Sequence, residues 1–279
     1  LPTRLIFLHE ENGECFPRLV YTVEIASTHF EYTTLSHRSP FRRRKKPKKT
    51  HSEGVTLHYL PRTFRDAIRI SLAIGVPYIW IDSLCIVQDD EEDWRREAAR
   101  MGDIYEGSYL NIAALDSPNC NGGCALYRRK PATHVRLQNG SQLAIRALAA
   151  HPADVFDSHL NTRGWIFQEL VLPIRVLYCG KNQFYWQCST KVYSEDGFID
   201  HDMALNLPGT RTLNCPTSLQ TNSPNPWWVW IQDFSKRNFT QSPDRLPALI
   251  GVTRKYQETT GLTPVLGLWK ETLLDDLAW

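Results

Sequence analysis

Residues 78–87, with the sequence YIWIDSLCIV, constrain the fold more than any other part of this chain. The segment is rich in β-branched and aromatic residues, and Asp82 is its one charged residue. Pro77 precedes it, and five consecutive acidic residues follow it at positions 89–93. A bounded apolar run of this kind predicts a β-strand that is buried on both faces. Such strands lie in the middle of a sheet that helices cover, so the sequence predicts a layered α/β fold.

The segments on either side of this strand alternate between helix and strand patterns. Apolar residues recur at helical spacing from Pro61 onward, and Gly75 and Pro77 end that pattern. Residues 93–106 form a second predicted helix, and YLNIAAL at 109–115 is a further short strand. Helix and strand in alternation predict parallel crossover units within one sheet.

The two ends of the chain carry different patterns. The N-terminal 37 residues contain three strand patterns, which are TRLIFL, RLVYTVEI and FEYTTLSH. Beyond residue 120, two pairs of strand patterns predict β-hairpins, the first with Asn139-Gly140 at its turn. The predicted hairpins are THVRLQ with QLAIRAL, and RVLYCG with QFYWQCS. RGWIFQELVL predicts a short helix or turn, and two later segments predict helices, WWVWIQDFSKRNF and a helix that ends at Gly261.

Composition narrows the class of protein. The chain has 279 residues, 42% of them hydrophobic, and a net charge of +2. This balance is typical of a globular protein and argues against disorder and against a globally basic nucleic-acid binder. No stretch reaches the roughly 20 apolar residues that a transmembrane helix needs, so we expect no membrane span. The chain begins at Leu1 rather than Met, and we expect it to be a piece of a longer product.

A basic run at residues 42–49 contains seven Lys or Arg residues. It is interpreted as a solvated loop, a nuclear import signal or a phosphate-attracting patch, and the run alone does not separate these alternatives. We expect a cytoplasmic location, with a nuclear location as the alternative that this run offers.

Seven cysteines are scattered along the chain. Cys120 and Cys124 have three residues between them, but no second pair of Cys or His follows at a zinc-site distance. We therefore expect reduced intracellular thiols and no metal site.

Three blocks of sequence together resemble the HET domain, the fungal heterokaryon-incompatibility domain. They are YTTLSH at 32–37, the long block from LPRTFRDAI through YLNIAA at 60–114, and RGWIFQELVLPIRVLYCGKNQFYWQC at 163–188. The resemblance implies a TIR-like sheet with flanking helices, elaborated by β-hairpins and a helical C-terminal part. It also implies a HET domain over residues 1–190, followed by a C-terminal extension over residues 191–279 that packs on the core.

The sequence departs from the family pattern after the first block. The family continues Ser-His or Ser-Tyr into Cys-Trp-Gly, whereas Ser36-His37 here runs into Arg38-Ser39-Pro40 and the basic run. This loop follows a predicted strand end, where open α/β sheets bind ligands. Any family activity that needs the Cys-Trp-Gly loop is therefore in doubt for this chain.

The resemblance implies a role in non-self recognition and regulated cell death, with two mechanistic alternatives. The first is an interaction module that signals by self-association or by binding protein partners. The second is an NAD glycohydrolase-type enzyme, because some TIR domains hydrolyse NAD with a helical glutamate in an Asp-Trp…Glu pattern. Asp93-Trp94-Arg95-Arg96-Glu97 is similar to that pattern but one residue shorter, which makes Glu97 the candidate catalytic residue. NAD is then a substrate, and we expect no resident cofactor.

A carboxylate such as Glu97 can stabilise the oxocarbenium-like transition state of glycosidic cleavage. The alternative for Glu97 is an exposed helix residue paired with Arg100. Seven further residues are candidates for ligand binding, each with a structural alternative. They are Ser36, His37, Asp82, Cys85, Trp94, Arg163 and Trp165.

Three of these candidates have specific alternatives. Asp82 either contacts a ligand or caps the turn that follows it, and Cys85 is either a nucleophile paired with His37 or a packing residue. Arg163 lies in a cluster with Trp165, Gln168 and Glu169. It either clamps a phosphate, pairs with Asp82 or Glu169, or locks the second half of the chain to the sheet.

Overall fold

A computed structural model describes residues 1–27, 29–38, 56–126, 133–145, 155, 158–189, 191–197 and 225–277. The basic run at 42–49 lies outside these residues. The described strands are β1 (Arg4–Glu11), β2 (Glu14–Tyr21), β3 (Thr33–Ser36), β4 (Tyr78–Trp80), β5 (Leu110–Ala113), β6 (Thr133–Arg136), β7 (Gln142–Ile145), β8 (Arg175–Cys179), β9 (Phe184–Cys188), β10 (Val192–Ser194), β11 (Pro264–Val265) and β12 (Leu268–Trp269). The described α-helices are α1 (Arg62–Ala73), α2 (Asp82–Cys85), α3 (Glu91–Glu106), α4 (Ile166–Val171), α5 (Pro226–Ser235), α6 (Pro247–Thr260) and α7 (Leu273–Leu277).

Eight strands form one mixed sheet in the order β10-β9-β8-β5-β3-β4-β1-β2. The four central strands, β8, β5, β3 and β4, run parallel to one another. Antiparallel strands extend the sheet at both ends, with β1 and β2 at one end and β9 and β10 at the other. The predicted α/β sheet with parallel crossovers and added hairpins is therefore confirmed.

Helices cover both faces of the central strands. Thr33 of β3 forms a hydrogen bond with Ser71 of α1, whereas the neighbouring Thr34 donates to Asn111 of β5. Because successive side chains of a strand point to opposite faces, α1 lies on one face and Asn111 points to the other. The chain crosses from β3 to β4 and then back past β3 to β5. Right-handed crossovers in these two directions place α1 and α3 on opposite faces of the sheet.

The prediction of one strand across residues 78–87 is wrong in its extent. Only Tyr78–Trp80 belong to β4, and the chain then turns into the short helix α2. The carboxylate of Asp82 accepts a hydrogen bond from the backbone N–H of Ser83 at 2.6 Å, and such a local bond favours a turn over a continued strand. The apolar residues that follow are still buried, with Cys85 at 1% exposure, which explains why the segment looks like a strand in sequence.

Helix α3 confirms the predicted second helix and extends it by two residues. Asp90 precedes it and accepts hydrogen bonds from the backbone N–H groups of Glu92 and Asp93, at 3.0 and 3.1 Å. An aspartate in this position satisfies backbone donors at the helix start. The acidic residues of the first turn also interact favourably with the positive end of the helix dipole.

The hairpin β6–β7 is separate from the eight-stranded sheet. Gly140 at its turn has φ of +83°, which confirms the predicted Asn139-Gly140 turn. Val135 lies opposite Leu143 across the two strands, and Thr133 lies opposite Ile145. The apolar side chains of Val135, Leu143 and Ile145 are 38–51% exposed. One face of this hairpin is therefore apolar and open within the described part of the chain. The second predicted hairpin, β8–β9, is also confirmed.

The helices α5 and α6 pack against α3 and α4. Helix α6 ends at Thr260, and Gly261 follows it with a φ of +74°, in agreement with the predicted helix end at this glycine. A Cβ atom added at Gly102 of α3 would lie 2.9 Å from the Cα atom of Gly251 in α6, so the two backbones are in contact. An apolar cluster contains Phe167 and Val171 of α4 and Leu172, which follows α4. Trp227 and other residues of the C-terminal helices complete this cluster. No helix within the described ranges combines the length and apolar character needed to cross a bilayer.

Candidate functional site

His37 lies immediately after β3, at the carboxyl end of the central parallel strands. Its ring packs edge-on against Phe64 of α1, with the ring centroids 4.9 Å apart, and the residue is only 3% exposed. Neither ring nitrogen has a hydrogen-bond partner among the described residues. Nδ1 lies 3.7 Å from Oδ1 of Asp82, which brings two predicted site residues together. Burial lowers the pKa of His37, although the carboxylate of Asp82 opposes this effect, so the imidazole is neutral at neutral pH.

A second polar group lies on the other face of the same strand ends. Asn111 of β5 donates to the hydroxyl of Ser36 at 3.0 Å and to the backbone oxygen of Glu169 at 2.7 Å. The hydroxyl of Tyr105 in α3 donates to Oε2 of Glu169 at 2.8 Å. All four residues are buried, with Glu169 at 5% exposure. The network thus joins the central strands to α3 and α4.

The carboxyl group of Glu169 titrates near neutral pH. Its pKa is raised to about 7. Burial is the largest cause, and the nearby negative charge of Asp82 acts in the same direction. The Arg163 cation and hydrogen bonds from Ser36 and Tyr105 act in the opposite direction. At neutral pH the group therefore populates both its protonated and its ionised form, as groups that exchange protons in active sites commonly do.

Arg163 connects this region to the C-terminal part of the chain. Its guanidinium donates to the backbone oxygen of His37 at 2.7 Å, rather than forming an ion pair with Asp82 or Glu169. Its neighbour Gly164 donates its backbone N–H to Asn238 at 2.9 Å, and Asn238 in turn donates to Thr162 at 2.7 Å. These contacts agree with the interpretation of Arg163 as a lock between the sheet and the second half of the chain.

Glu97 belongs to a different network, beside the N-terminus of β1. The hydroxyl of Thr3 donates to Oε1 of Glu97, and Nε of Arg96 lies 3.8 Å from the same oxygen. Glu97 is completely buried, and Oε2 has no hydrogen-bond partner within the described residues. The alternative of an exposed helix residue is therefore wrong, because Glu97 faces the interior of the protein.

A buried ion pair lies next to Glu97. The guanidinium of Arg4 contacts the carboxylate of Asp93, and Nε of Arg4 donates to the backbone oxygen of Cys85 at 2.7 Å. Oδ2 of Asp93 also accepts a hydrogen bond from the backbone N–H of Val87 at 2.8 Å. Burial raises the pKa of Asp93, but the bonds from Val87 and Arg4 outweigh it and leave the pKa below its usual value. Asp93 is therefore a carboxylate at neutral pH.

Cys85 lies between the two networks. Burial raises the pKa of its thiol to about 12, and the charges of Asp82 and Glu97 contribute in the same direction. Because the thiolate is the nucleophilic form, this environment agrees with a packing residue. Trp94 and Trp165 pack against each other edge-on at 6.4 Å, and the indole N–H of Trp165 donates to Asp244 at 3.2 Å. Both tryptophans therefore have packing roles in the described structure.

Residues 32–169, about half of the chain, match the family model described as Heterokaryon incompatibility protein (HET). The chain belongs to the HET family. Neither a search of curated proteins nor a search of solved structures gives a match.

The HET match contains the whole polar region at the strand ends. It begins at Tyr32, just before β3, and ends at Glu169. Of the predicted site residues, Ser36, His37 and Asp82 lie together at this edge of the sheet, whereas Glu97 lies in the neighbouring network of Thr3 and Arg96. The loop that replaces Cys-Trp-Gly lies outside the described residues, apart from Arg38.

The sequence did not indicate a site role for Tyr105 or Asn111, and it placed Glu169 only in the cluster around Arg163. The signals for two of these residues are visible in hindsight. Asn111 is a polar residue inside the strand pattern YLNIAAL, and Glu169 is an acidic residue inside the otherwise apolar segment IFQELV. A polar residue in such a position requires a buried partner.

Proposed function

We propose that this HET-family protein acts in fungal non-self recognition and regulated cell death as a signalling and self-association module. The match of residues 32–169 to the HET family carries this proposal. The parallel central sheet with helices on both faces supports a TIR-like arrangement for residues 1–190, with residues 191–279 as a C-terminal extension packed on it. Protein partners and a cytoplasmic location belong to the same proposal, with a nuclear location as the alternative offered by residues 42–49.

The apolar face of the hairpin β6–β7 supports self-association. Val135, Leu143 and Ile145 lie on one face of two paired strands and are 38%, 48% and 51% exposed. An isolated two-stranded hairpin is marginal in water, so burial of this face stabilises it. The surface is the same on every copy of the chain, and two copies that pack face to face bury it symmetrically. We propose a second copy of this chain as its partner.

The double variant Val135→Lys/Leu143→Lys is expected to remain monomeric at concentrations where the wild type assembles. Two lysines on the apolar face replace buried contacts with charges that repel one another across a symmetric interface. Size-exclusion chromatography with light scattering measures the assembly state. Viability of fungal cells that express each variant measures the cell-death activity, which we expect the double variant to lose.

Gln142→Lys is the matched control, because Gln142 lies on the opposite face of the same hairpin, paired with Arg136. This variant adds a lysine to β7 without touching the apolar face, and it is expected to assemble like the wild type. Assembly of the double variant at the wild-type concentration would show that another surface mediates self-association.

A second candidate function is hydrolysis of the nicotinamide–ribose bond of NAD. The buried carboxylate of Glu97, with one oxygen lacking a partner among the described residues, favours this candidate. Cleavage of this bond develops positive charge on the ribose, and a buried carboxylate stabilises such charge more strongly than one in water.

Purified protein is expected to release nicotinamide from NAD, and Glu97→Gln is expected to lower the rate at least about tenfold, because the amide carries no charge. Glu92→Gln is the control, since Glu92 is exposed on the same helix. Chromatography of nicotinamide measures the release. Absence of release at high concentration of assembled wild-type protein would reject the enzymatic function, and release that survives Glu97→Gln would reject only the role of Glu97.

A further inference from the structure

Residues 238–245, which we call the junction segment, connect α5 to α6 and contact the HET-family part of the chain. The backbone N–H of Gly164 donates to Asn238 at 2.9 Å, and the N–H of Asn238 donates to Thr162 at 2.7 Å. The ring of Phe239 lies directly on Gly164, because a Cβ atom added to this glycine would lie 1.9 Å from the ring. These contacts tie the junction segment to the residues just before α4.

A short 3₁₀ helix, Ser242–Arg245, ends the junction segment and adds two contacts through its side chains. The carboxylate of Asp244 accepts a hydrogen bond from the indole N–H of Trp165 at 3.2 Å. The guanidinium of Arg245 lies over the ring of Phe239, 4.9 Å from its centroid. A cation in this position is attracted by the aromatic ring, so Arg245 helps to hold Phe239 in place. Two charged side chains of the 3₁₀ helix therefore keep the junction segment closed.

Ser242 begins the sequence Ser-Pro-Asp-Arg, in which a proline follows the serine and an arginine stands three positions after it. Proline-directed protein kinases select this pattern. The proline has no backbone N–H for the kinase to satisfy, and the arginine pairs with an anionic group of the kinase. Ser242, Pro243 and Arg245 are all exposed. The serine hydroxyl and the two residues that a kinase reads are thus accessible together.

Four other Ser-Pro or Thr-Pro pairs occur in the chain. Ser117 is buried at 1% exposure, and Thr263 is exposed but has a leucine three positions after it. Ser223 has a proline at that position. Ser39 is followed by an arginine at the third position, but it lies outside the described residues. Within the described ranges, Ser242 is therefore the serine that combines the full pattern with exposure.

We propose that Ser242 is the phosphorylation site of a proline-directed protein kinase, and that its phosphate opens the junction segment. The serine oxygen forms a bond to the γ-phosphorus of ATP, and the bond from this phosphorus to the β–γ bridging oxygen breaks. Its electron pair stays on ADP, and the hydroxyl proton passes to the base of the kinase and then to solvent. This modification needs neither of the functions proposed above.

The 3₁₀ helix presents little resistance to the kinase. A kinase binds its substrate as an extended peptide, and Gln241 before the helix is already extended, with φ of −122° and ψ of 119°. A backbone hydrogen bond from Asp244 to Gln241, at 3.1 Å, closes the turn. Such short 3₁₀ helices have poor hydrogen-bond geometry, so the turn unwinds for the transfer and re-forms afterwards.

The phosphate acts on the junction segment through Arg245. Side chains at positions i and i+3 of a 3₁₀ helix lie on the same side, which places Arg245 beside a phosphate on Ser242. Arginine binds phosphate through two parallel charge-assisted hydrogen bonds, which are stronger than an exposed contact with an aromatic ring. Arg245 therefore leaves Phe239. The added charge of about −1.5 to −2 also repels Asp244, which weakens its hydrogen bond with Trp165.

The first test is phosphorylation of the whole chain by ATP and a kinase of the cyclin-dependent class, with mass spectrometry to locate each phosphate. Ser242 is expected to be modified, and Pro243→Ala and Arg245→Ala are each expected to slow its modification several-fold. Thr263 is the internal control, which we expect to stay unmodified because it lacks the basic residue. Phosphorylation of a synthetic peptide of residues 237–248, but not of Ser242 in the folded chain, would show that the fold hides this serine and would reject the site.

The second test measures opening of the junction segment by hydrogen–deuterium exchange of the backbone N–H groups of Gly164 and Asn238. Ser39→Ala is the background, because it removes the other serine with the full pattern. Phosphorylation of Ser242 is expected to speed exchange about two- to fivefold, the size of an exposed cation–π contact. Arg245→Ala without phosphate is expected to speed exchange similarly, because it removes the same contact.

Gln241→Ala is the matched control for exchange. Gln241 is an exposed residue of the junction segment, and its substitution keeps the backbone oxygen that Asp244 binds. We expect its exchange to equal that of the wild type, and circular dichroism with thermal melting establishes that each variant is folded. Unchanged or slower exchange in the chain that carries phosphate on Ser242 would reject opening by the phosphate.

Discussion

Asp93→Ala is expected to lower the free energy of unfolding by about 3–5 kcal/mol, because it leaves a buried cation without its partner. The side chains of Arg4 and Asp93 are only 6% and 3% exposed. The substitution also removes the acceptor for the backbone N–H of Val87. Urea denaturation, followed by the fluorescence of the nine tryptophans, measures the change.

Glu91→Ala is the matched control in the same helix. Glu91 pairs with Arg95 at 2.7 Å, but the two side chains are 73% and 69% exposed, so water competes with this ion pair. We expect a change below about 0.5 kcal/mol. Equal changes in the free energy of unfolding for Asp93→Ala and Glu91→Ala would show that burial does not determine what an ion pair contributes to stability.

The stability that Asp93 contributes depends on pH. Its pKa is lower in the folded protein than in the unfolded chain, so the contribution is fully present above the unfolded value. It is lost as the pH falls through the folded pKa, and the difference between wild type and Asp93→Ala is expected to shrink at acidic pH.

Gly251→Ala is expected to destabilise the protein by about 1–3 kcal/mol, although alanine favours a helix over glycine by about 1 kcal/mol. The added Cβ atom would lie 3.0 Å from the Cα atom of Gly102 and 2.8 Å from Oε1 of Gln168. The side chain of Gln168 can rotate away, but the Cα atom of Gly102 belongs to the backbone of α3 and cannot. The helices α3 and α6 must therefore separate, and the cluster around Phe167 loses contacts.

Two further substitutions test the crossing. Gln257→Ala, at an exposed position of α6, is expected to change stability by less than about 0.5 kcal/mol. Gly102→Ala is expected to destabilise as well, and the double variant Gly102→Ala/Gly251→Ala is expected to cost less than the sum of the single changes, because one separation of the helices accommodates both methyl groups. Strictly additive effects would contradict a shared contact.

Local patterns predicted the elements of this fold better than their arrangement. The helical spacing of α3 and the Asn139-Gly140 turn follow from residues close in sequence, and both are confirmed. The predicted strand at residues 78–87 was too long because buried positions favour apolar residues in strands and in turns alike. Ile81, Cys85 and Ile86 are buried, although they lie outside β4. The side chain of Asp82 decides between these states, and its hydrogen bond to Ser83 is not visible as a periodicity.

The candidate site was only partly predictable, for a different physical reason. Ser36 and His37 end a predicted strand, where α/β sheets bind ligands. Asp82 was predicted inside a longer strand, and only the end of β4 at Trp80 brings it to the same edge of the sheet. The partnership of Tyr105 with Glu169 joins residues 64 positions apart, and it depends on how α4 docks against α3. No local pattern encodes that docking. The burial of Glu97 was missed for the same reason, since Thr3 reaches it only through the position of β1.

The position of helix α4 affects how this protein can be divided. The family match stops at Glu169, within α4, while Phe167, Val171 and Leu172 pack beneath Trp227 and its neighbours in the C-terminal helices. A recombinant fragment cut at the end of the family match, or at residue 190, would expose this apolar surface to water. The unit recognised by sequence is therefore smaller than the unit that buries its own core. Work with isolated HET segments of this protein should keep α5 and α6 attached.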